Sequence, residues 1–455
     1  MFFRKKETAT GFTESFKDFF NSNTSGGIVL LVCTAIALLW ANSPWSESYF
    51  ALWKEHFSIG VGSAVLSKTL LHWINDGLMV IFFFFVGLEI KREILVGELS
   101  SVKKAMLPII AAIGGMIGPA LIYLLFNSQY SESSHGWGIP MATDIAFALG
   151  ILALLGDRIP PGLKIFLAAL AIADDMGAVL VIAMFYTHDL SLLMLAAGAV
   201  FIGMLLLANK FDIHSTAIYT MLGVGLWFCF LTSGIHPTIA GVIMAMTIPV
   251  RKKINTEHFV AETILAIREL KKNEDPKSEN ELIHKVASLS EEVQSPLHRF
   301  EHALHPYVAF LIMPVFAIAN AGVKIEGNIF DALFSPVGLG VALGLIVGKQ
   351  IGIFSFVWIA VKTKIASLPK NVSWKMIYGT TWLCAIGFTM ALFIASLAFK
   401  TSEPLIISKI AILFASSLSA IVGMILLSRL NYNKETETLQ NKELHKLTSQ
   451  KQQSE

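Results

Sequence analysis

The sequence predicts an all-α polytopic membrane protein of about twelve transmembrane helices, and three observations carry that expectation. The first is composition. Of 455 residues, 54% are hydrophobic and 15% charged, with a mean hydropathy of +0.63; a soluble chain carries about 25% charge. The second is a series of apolar runs, at 26–41, 74–97, 104–126, 139–156, 163–186, 190–208, 215–233, 236–250, 302–321, 337–361, 376–400 and 405–430. Crossing a bilayer takes about 20 such residues. Lipid offers no partner for an unpaired backbone group, so each run is a helix. None shows the alternation, over about 10 residues, of a barrel strand. The third is the distribution of cations. Arg4, Lys5, Lys6, Lys91, Arg92, Lys103, Lys104, Arg158, Lys164, Lys210, Arg251, Lys252, Lys253, Lys362, Lys364, Lys370, Lys375 and Arg429 fall on one side of the membrane. Only Lys54, Lys68, Lys324 and Lys400 fall on the other. The positive-inside rule then places both termini in the cytoplasm.

Residues 1–25 form a cytoplasmic segment, not a signal peptide, because polar residues follow Arg4, Lys5 and Lys6. Phe12, Phe16, Phe19 and Phe20 recur there at helical spacing. That pattern fits a helix on the membrane surface, and equally a loosely ordered tail. The spanning domain covers 26–430. It is interrupted by an outer loop at 42–72, where Trp45, Tyr49, Phe50 and Trp53 suit an interface. A long inner loop occupies 251–300, with amphipathic helices expected at 257–272 and 281–293 and a linker from Asn273 to Asn280. The tail, 431–455, is rich in Lys, Gln, Glu and Ser and reads as disordered. Cys33, Cys229 and Cys384 lie in apolar runs and read as small buried hydrophobes. A net charge of +2 without a basic patch implies no nucleic-acid partner. The partner is the lipid bilayer.

Polar residues inside the spans carry the chemistry. Asp174 and Asp175 stand side by side in LKIFLAALAIADDMGAVLVIAMFY, residues 163–186. A charge at the bilayer centre costs from about 3 to above 10 kcal/mol, and adjacent carboxylates also repel. Helical neighbours point about 100° apart, so the two flank one cavity from different angles. Asp144 lies in GIPMATDIAFALG, a short run with Gly138 and Pro140 before it and Gly150 after. Short interrupted spans point to transporter sites built from broken helices. Thr143 offers a hydroxyl or carbonyl to a cation, and Asp144 is also placed to cap a half-helix. Gly387 and Thr389 weaken AIGFTMALF in the eleventh span. Spans three to five and ten to twelve then form triplets of opposite topology, an inverted repeat with discontinuous helices in spans 4 and 11. Crossed half-helices put positive ends together, which Asp144 compensates, and negative ends together. Lys349, in GLIVGKQIGIF, either meets the negative ends or pairs with an aspartate.

Hard alkali cations prefer oxygen ligands. Two carboxylates with Thr143 and water make a shell in which a cation competes with protons. One cation on two carboxylates displaces more than one proton, so exchange moves net charge. No cofactor is implied.

ATDIAFALG (142–150), LAIADDMGA (170–178), SGIHPTIAG (233–241), FEHALHP (300–306), FAIANAGV (316–323), GKQIGI (348–353), IGFTMALFIASLAF (386–399) and WINDGLMVIFFFFVGLEIKRE (73–93) together resemble the bacterial NhaA sodium/proton antiporters. The resemblance covers about 25–430. It implies the inverted-repeat antiporter fold with crossed fourth and eleventh helices, an inner-membrane location and pH-regulated Na⁺(Li⁺)/H⁺ antiport. Asp175 is then the main cation ligand. Asp174 pairs with Lys349 when the site is empty, and Asp144 and Thr143 lie at the crossing. The implied pH sensor comprises Glu89, Lys91, Arg92 and Glu93 with Glu301, His302 and His305, plus His236 on the outer side. Read as residues alone, the charges at the helix ends are equally a solvated rim, and Asp76 is at most an N-cap. The resemblance also implies dimerisation through 42–72. The 251–300 loop departs from the family in its length. A competing reading, an intramembrane aspartyl protease with Asp144 and Asp174 as its dyad, needs two carboxylates sharing a proton. Lys349 opposes that sharing, and Asp175 is left without a role.

Overall fold

The computed structural model describes residues 25–61, 64–187, 190–270, 276–325, 327–399 and 401–430. The expected surface segment before Ser25 and the tail at 431–455 lie outside the described residues. Among the described residues, twelve spans follow one another. The first is Ser25–Ala41. The second, 70–95, runs through a π-helical turn at Ile74–Leu78. The third is Val102–Asn127, the fourth Ser131–Leu154, the fifth Pro161–Phe185 and the sixth Leu192–Lys210. The seventh, Thr216–Leu231, and the eighth, Thr238–Thr247, are short, at 16 and 10 residues. The ninth is Pro296–Ala321 and the tenth Pro336–Lys362. The eleventh is Trp374–Cys384 followed by Phe388–Ala398, and the twelfth is Ser402–Ser428.

Local chemistry starts several of these helices. Ser295 and Ser335 each accept a hydrogen bond from an N–H of the first turn, with Pro296 and Pro336 just inside. A serine cap followed by proline satisfies one orphan donor and removes another. In lipid, helices gain little from hydrophobic burial against each other, so close backbone approach matters more. The third and tenth spans meet this way. A β-carbon on Gly114 would stand 2.3 Å from the Gly352 carbonyl oxygen, and one on Gly118 would stand 2.5 Å from that of Gly348. Two small-xxx-small pairs therefore set the contact that carries Lys349 inward.

The fourth and eleventh spans are broken, as expected. In the fourth, Gly136, Gly138 and Pro140 give a 3₁₀ stretch at His135–Met141, then extended chain, then an α-helix at Ile145–Leu154. In the eleventh, the two halves are bent by 45°. Gly387 sits in that break; a β-carbon there would meet the Ala142 carbonyl oxygen at 3.1 Å. The crossing itself is a hydrogen bond from the Asp144 N–H to the Ile386 carbonyl, 2.7 Å. The sixth to eighth spans form a smaller core of their own with Phe84, Leu88 and Leu297.

Two loops differ from expectation. The 42–72 loop holds a helix, Ser46–Lys54, and an antiparallel hairpin of His56–Val61 with Ala64–Thr69. The fold is therefore helical with one small added ribbon. Tyr49 anchors it, donating to the Ile318 carbonyl at 2.6 Å and accepting from Gly322 N–H at 3.1 Å. In the 251–300 loop, helices occupy Thr256–Leu270 and Pro276–Glu292. The expected linker is thus shorter, because residues 276–280 join the second helix.

Candidate functional site

The fifth span carries Asp174 and Asp175 to the level of the helix crossing, where both are buried. Lys349, fully buried on the tenth span, places Nζ 2.6 Å from Asp174 Oδ2 and 2.9 Å from Thr143 Oγ1. Thr143 Oγ1 is also 2.6 Å from Asp174 Oδ2 and 2.8 Å from the Cys384 carbonyl oxygen. Thr143 thus accepts from lysine and has one proton for either oxygen. Of the two roles open to Lys349, pairing with an aspartate is the one observed. The negative end of the first half of the eleventh span meets the Thr143 hydroxyl instead.

Asp144 serves the positive ends. Its Oδ1 accepts from Phe147 N–H at 3.1 Å, capping its own half-helix. Its Oδ2 accepts from Thr389 N–H at 3.2 Å and from the Thr389 hydroxyl, at the start of the other half-helix. Each helix N-terminus carries about half a positive charge, so one carboxylate balances two ends. Thr389 is therefore a partner that glycine and threonine content alone had signalled only weakly.

Asp175 faces elsewhere. With Asp144 it lines a cavity of about 560 Å³ that reaches Glu89, Lys164 and His305. Lys164 lies on the same helix, eleven residues from Asp175, which is three turns and therefore the same face. That spacing was legible, but its meaning depended on the cavity.

The remaining expected residues separate into groups. Glu89 and His305 line the cavity, and the His305 ring lies 6.0 Å from that of Phe85. Arg92 bridges Glu301 on the ninth span and Glu93, the latter at 3.2 Å. Lys91 donates to the Met246 carbonyl at 2.7 Å and to that of Ile248, holding the end of the eighth span. His302 is exposed, its ring 6.4 Å from that of His298. His236 lies at the opposite end of the second span, with Nε2 3.5 Å from Asp76 Oδ1. Asp76 is no N-cap. It sits within the π turn and also pairs with His72 at 2.8 Å. Asn75 and Asn320 exchange amide hydrogen bonds beside it, which no local pattern announced.

The geometry does not make a protease dyad. Both oxygens of Asp144 accept from helix-end donors, and Asp174 is held by a lysine and a hydroxyl. An inverted pair of broken helices around a buried carboxylate–lysine pair, beside a second carboxylate open to a cavity, defines an ion-coupled membrane carrier. The family model described as Na+/H+ antiporter 1 matches residues 17–427. The chain is 49% identical over 415 residues to the Na(+)/H(+) antiporter NhaA of Koribacter versatilis, covering 91% of each chain. It is 50% identical over 429 residues to that of Oleidesulfovibrio alaskensis, covering 93% of this chain and 95% of that one. With the Wolinella succinogenes protein it shares 48% identity, over 92% and 94% of the two chains. The chain belongs to the NhaA family of Na⁺/H⁺ antiporters.

Proposed function

We propose that the protein is an electrogenic Na⁺(Li⁺)/H⁺ antiporter of the bacterial inner membrane, with both termini in the cytoplasm, that exports sodium and responds to pH. The carrying observation is the buried Asp174–Lys349 pair next to a cavity-facing Asp175. At 2.6 Å and an effective dielectric constant near 20, the pair's attraction is about 6 kcal/mol. Holding two charges in the membrane costs about 3 kcal/mol each on the lower scale. These are of one size, so the ion pair is close to balance and a competing cation can undo it.

The sequence of events follows. A sodium ion enters the cavity and binds Asp175 once its carboxyl has lost its proton. It then takes oxygens from Asp174 and Thr143, releasing Lys349. A lysine expelled from its carboxylate inside an apolar site gives up its proton, because the charged form is no longer compensated there. Two protons thus oppose one cation. The resulting net charge movement is worth about 2.3 kcal/mol per 100 mV, so membrane potential drives sodium outward. This chemistry needs no cofactor and makes no covalent bond, so the protein acts as a carrier and not as an enzyme.

Residues 26–430 are the transport domain, flanked by cytoplasmic segments at 1–25 and 431–455. Glu89, Lys91, Arg92, Glu93, Glu301, His302 and His305 at the cavity end, and His236 at the other, are the groups we assign to pH response. The 42–72 ribbon is the surface through which two copies pair. Inside-out vesicles loaded with wild-type protein will respond to added Na⁺ or Li⁺ by collapsing an imposed ΔpH. Asp175→Asn vesicles will not, and a wild-type response from that variant removes Asp175 from the site.

A further inference from the structure

The helix Thr256–Leu270 carries more apolar surface than its partner covers. Ala266 is fully buried, and Glu262 meets Lys285 of the second helix at 3.0 Å. Those residues mark the face turned toward the partner, which supplies buried Leu282 and Leu289. Val260, Ile264 and Ile267 are nevertheless 47%, 45% and 46% exposed among the described residues. Spaced i, i+4 and i+7, they form one stripe about a third of a turn away from Ala266, while Leu265, 49% exposed, stands apart from it on the side of His258.

The position of this helix identifies what covers the stripe. The Leu297 N–H, in the first turn of the ninth span, donates to the Pro249 carbonyl, two residues past the end of the eighth, at 3.3 Å. The Lys253 and Ile254 N–H groups donate to the Glu292 carbonyl at 3.1 and 3.4 Å, and Lys253 Nζ pairs with Glu292 at 2.5 Å. The helix begins two residues beyond that clamp, so its start is held beside the ends of two membrane spans. Arg251, Lys252 and Arg268 are exposed around it, and anionic headgroups attract such cations. An amphipathic helix fixed at that depth buries its apolar stripe at the headgroup–acyl boundary.

We propose that Thr256–Leu270 lies along the membrane surface with Val260, Ile264 and Ile267 inserted into the leaflet in which the eighth and ninth spans end. The helix is then a lipid-binding element of this chain. The test uses full-length protein in which Cys33 and Cys229 are replaced by alanine, while Cys384, fully buried beside the site, is kept. Single cysteines at Ile264, Ile267 and, as a control on the other side of the helix, His258 receive an environment-sensitive bimane label. The proteins are reconstituted into phosphatidylglycerol-containing vesicles with and without shallow spin-labelled lipid. At least twofold quenching at 264 and 267, with little at 258, is the expected result. Equal, weak quenching at all three positions overturns the proposal. So does shielding at 264 that persists in detergent and yields a 264–264 cross-link, because a second copy then covers the stripe. Shielding that disappears when 431–455 is deleted assigns the stripe to the tail and overturns it too.

Discussion

At the scale of single residues, the centre of the molecule depends on Thr143 as much as on the charged groups. Its hydroxyl touches Lys349, Asp174 and the Cys384 carbonyl. Thr143→Val keeps the shape and removes the oxygen. The buried carbonyl of Cys384 then lacks that partner, at about 1–3 kcal/mol, and a bound cation loses one oxygen. The expected outcome is a fall in Tm together with a raised apparent KM for Na⁺ at unchanged pH; an unchanged KM would remove Thr143 from the cation shell. Lys349→Met is harsher. Breaking one partner from a buried pair costs about 3–5 kcal/mol, so Tm falls further. Added Na⁺ should recover part of the loss, because the cation takes the place of the ammonium beside Asp174. These central residues were legible in the sequence because a charge in a long apolar run has to be compensated. Asp76 was less so: its i, i+4 partner His72 is local, but His236 lies far along the chain.

At the scale of elements, broken helices and small-residue stripes set where the charges stand. The break in the fourth span was readable from Gly138 and Pro140, whereas Gly387 and Thr389 mark that of the eleventh only weakly until the two triplets are set side by side as a repeat. The pairing of the third span with the tenth was equally written in Gly114, Gly118, Gly348 and Gly352. A reading that follows polar residues passes over a stripe with no side chains. The outer hairpin was missed because HFSIGV and AVLSKT are short, and aromatic neighbours suggested only an interface. Gly352→Leu tests the stripe. Its β-carbon would lie 2.0 Å from the Gly114 carbonyl oxygen, backbone that cannot swing aside. Overpacking of this kind typically costs about 1–3 kcal/mol or more, and the tenth span would withdraw Lys349 from Asp174. Loss of both Tm and transport is expected, whereas Ile351→Leu, on an exposed face, should leave both intact. The inner helix pair makes a separate prediction. A hydrogen bond from Lys285 and its charge hold the Glu262 carboxyl below its ordinary range. A depressed carboxylate contributes stability above its unfolded pKa of about 4.3 and loses it as pH falls through the folded value. Amide exchange in 256–270 should therefore quicken below that pH. In Glu262→Gln this acid-induced component should be absent.

At the scale of the whole molecule, the cavity divides the path across the membrane unequally. From Asp175 it opens toward Glu89, Lys164 and His305. On the other side of the site, Phe393 is fully buried and packs against Phe83, His236 and Phe316, with ring centroids 5.5, 5.6 and 6.1 Å apart. Beyond that layer lie Asp76, Asn75 and Asn320. The site therefore communicates with one face through space and with the other through packed rings. A carrier in this state exposes Asp175 to one compartment at a time, as alternating access requires. Ala168 lies on the same helix face as Asp175, within the cavity. In a background without native cysteines, Ala168→Cys should react with a membrane-impermeant thiol reagent applied from the cytoplasmic side and be protected from the same reagent outside. Sodium on the cytoplasmic side should slow the reaction, because the ion occupies the cavity and promotes the opposite state. Reaction of Ala168→Cys from the outer side alone would mean that the cavity faces outward, and the direction of the cation path assigned above would have to be inverted.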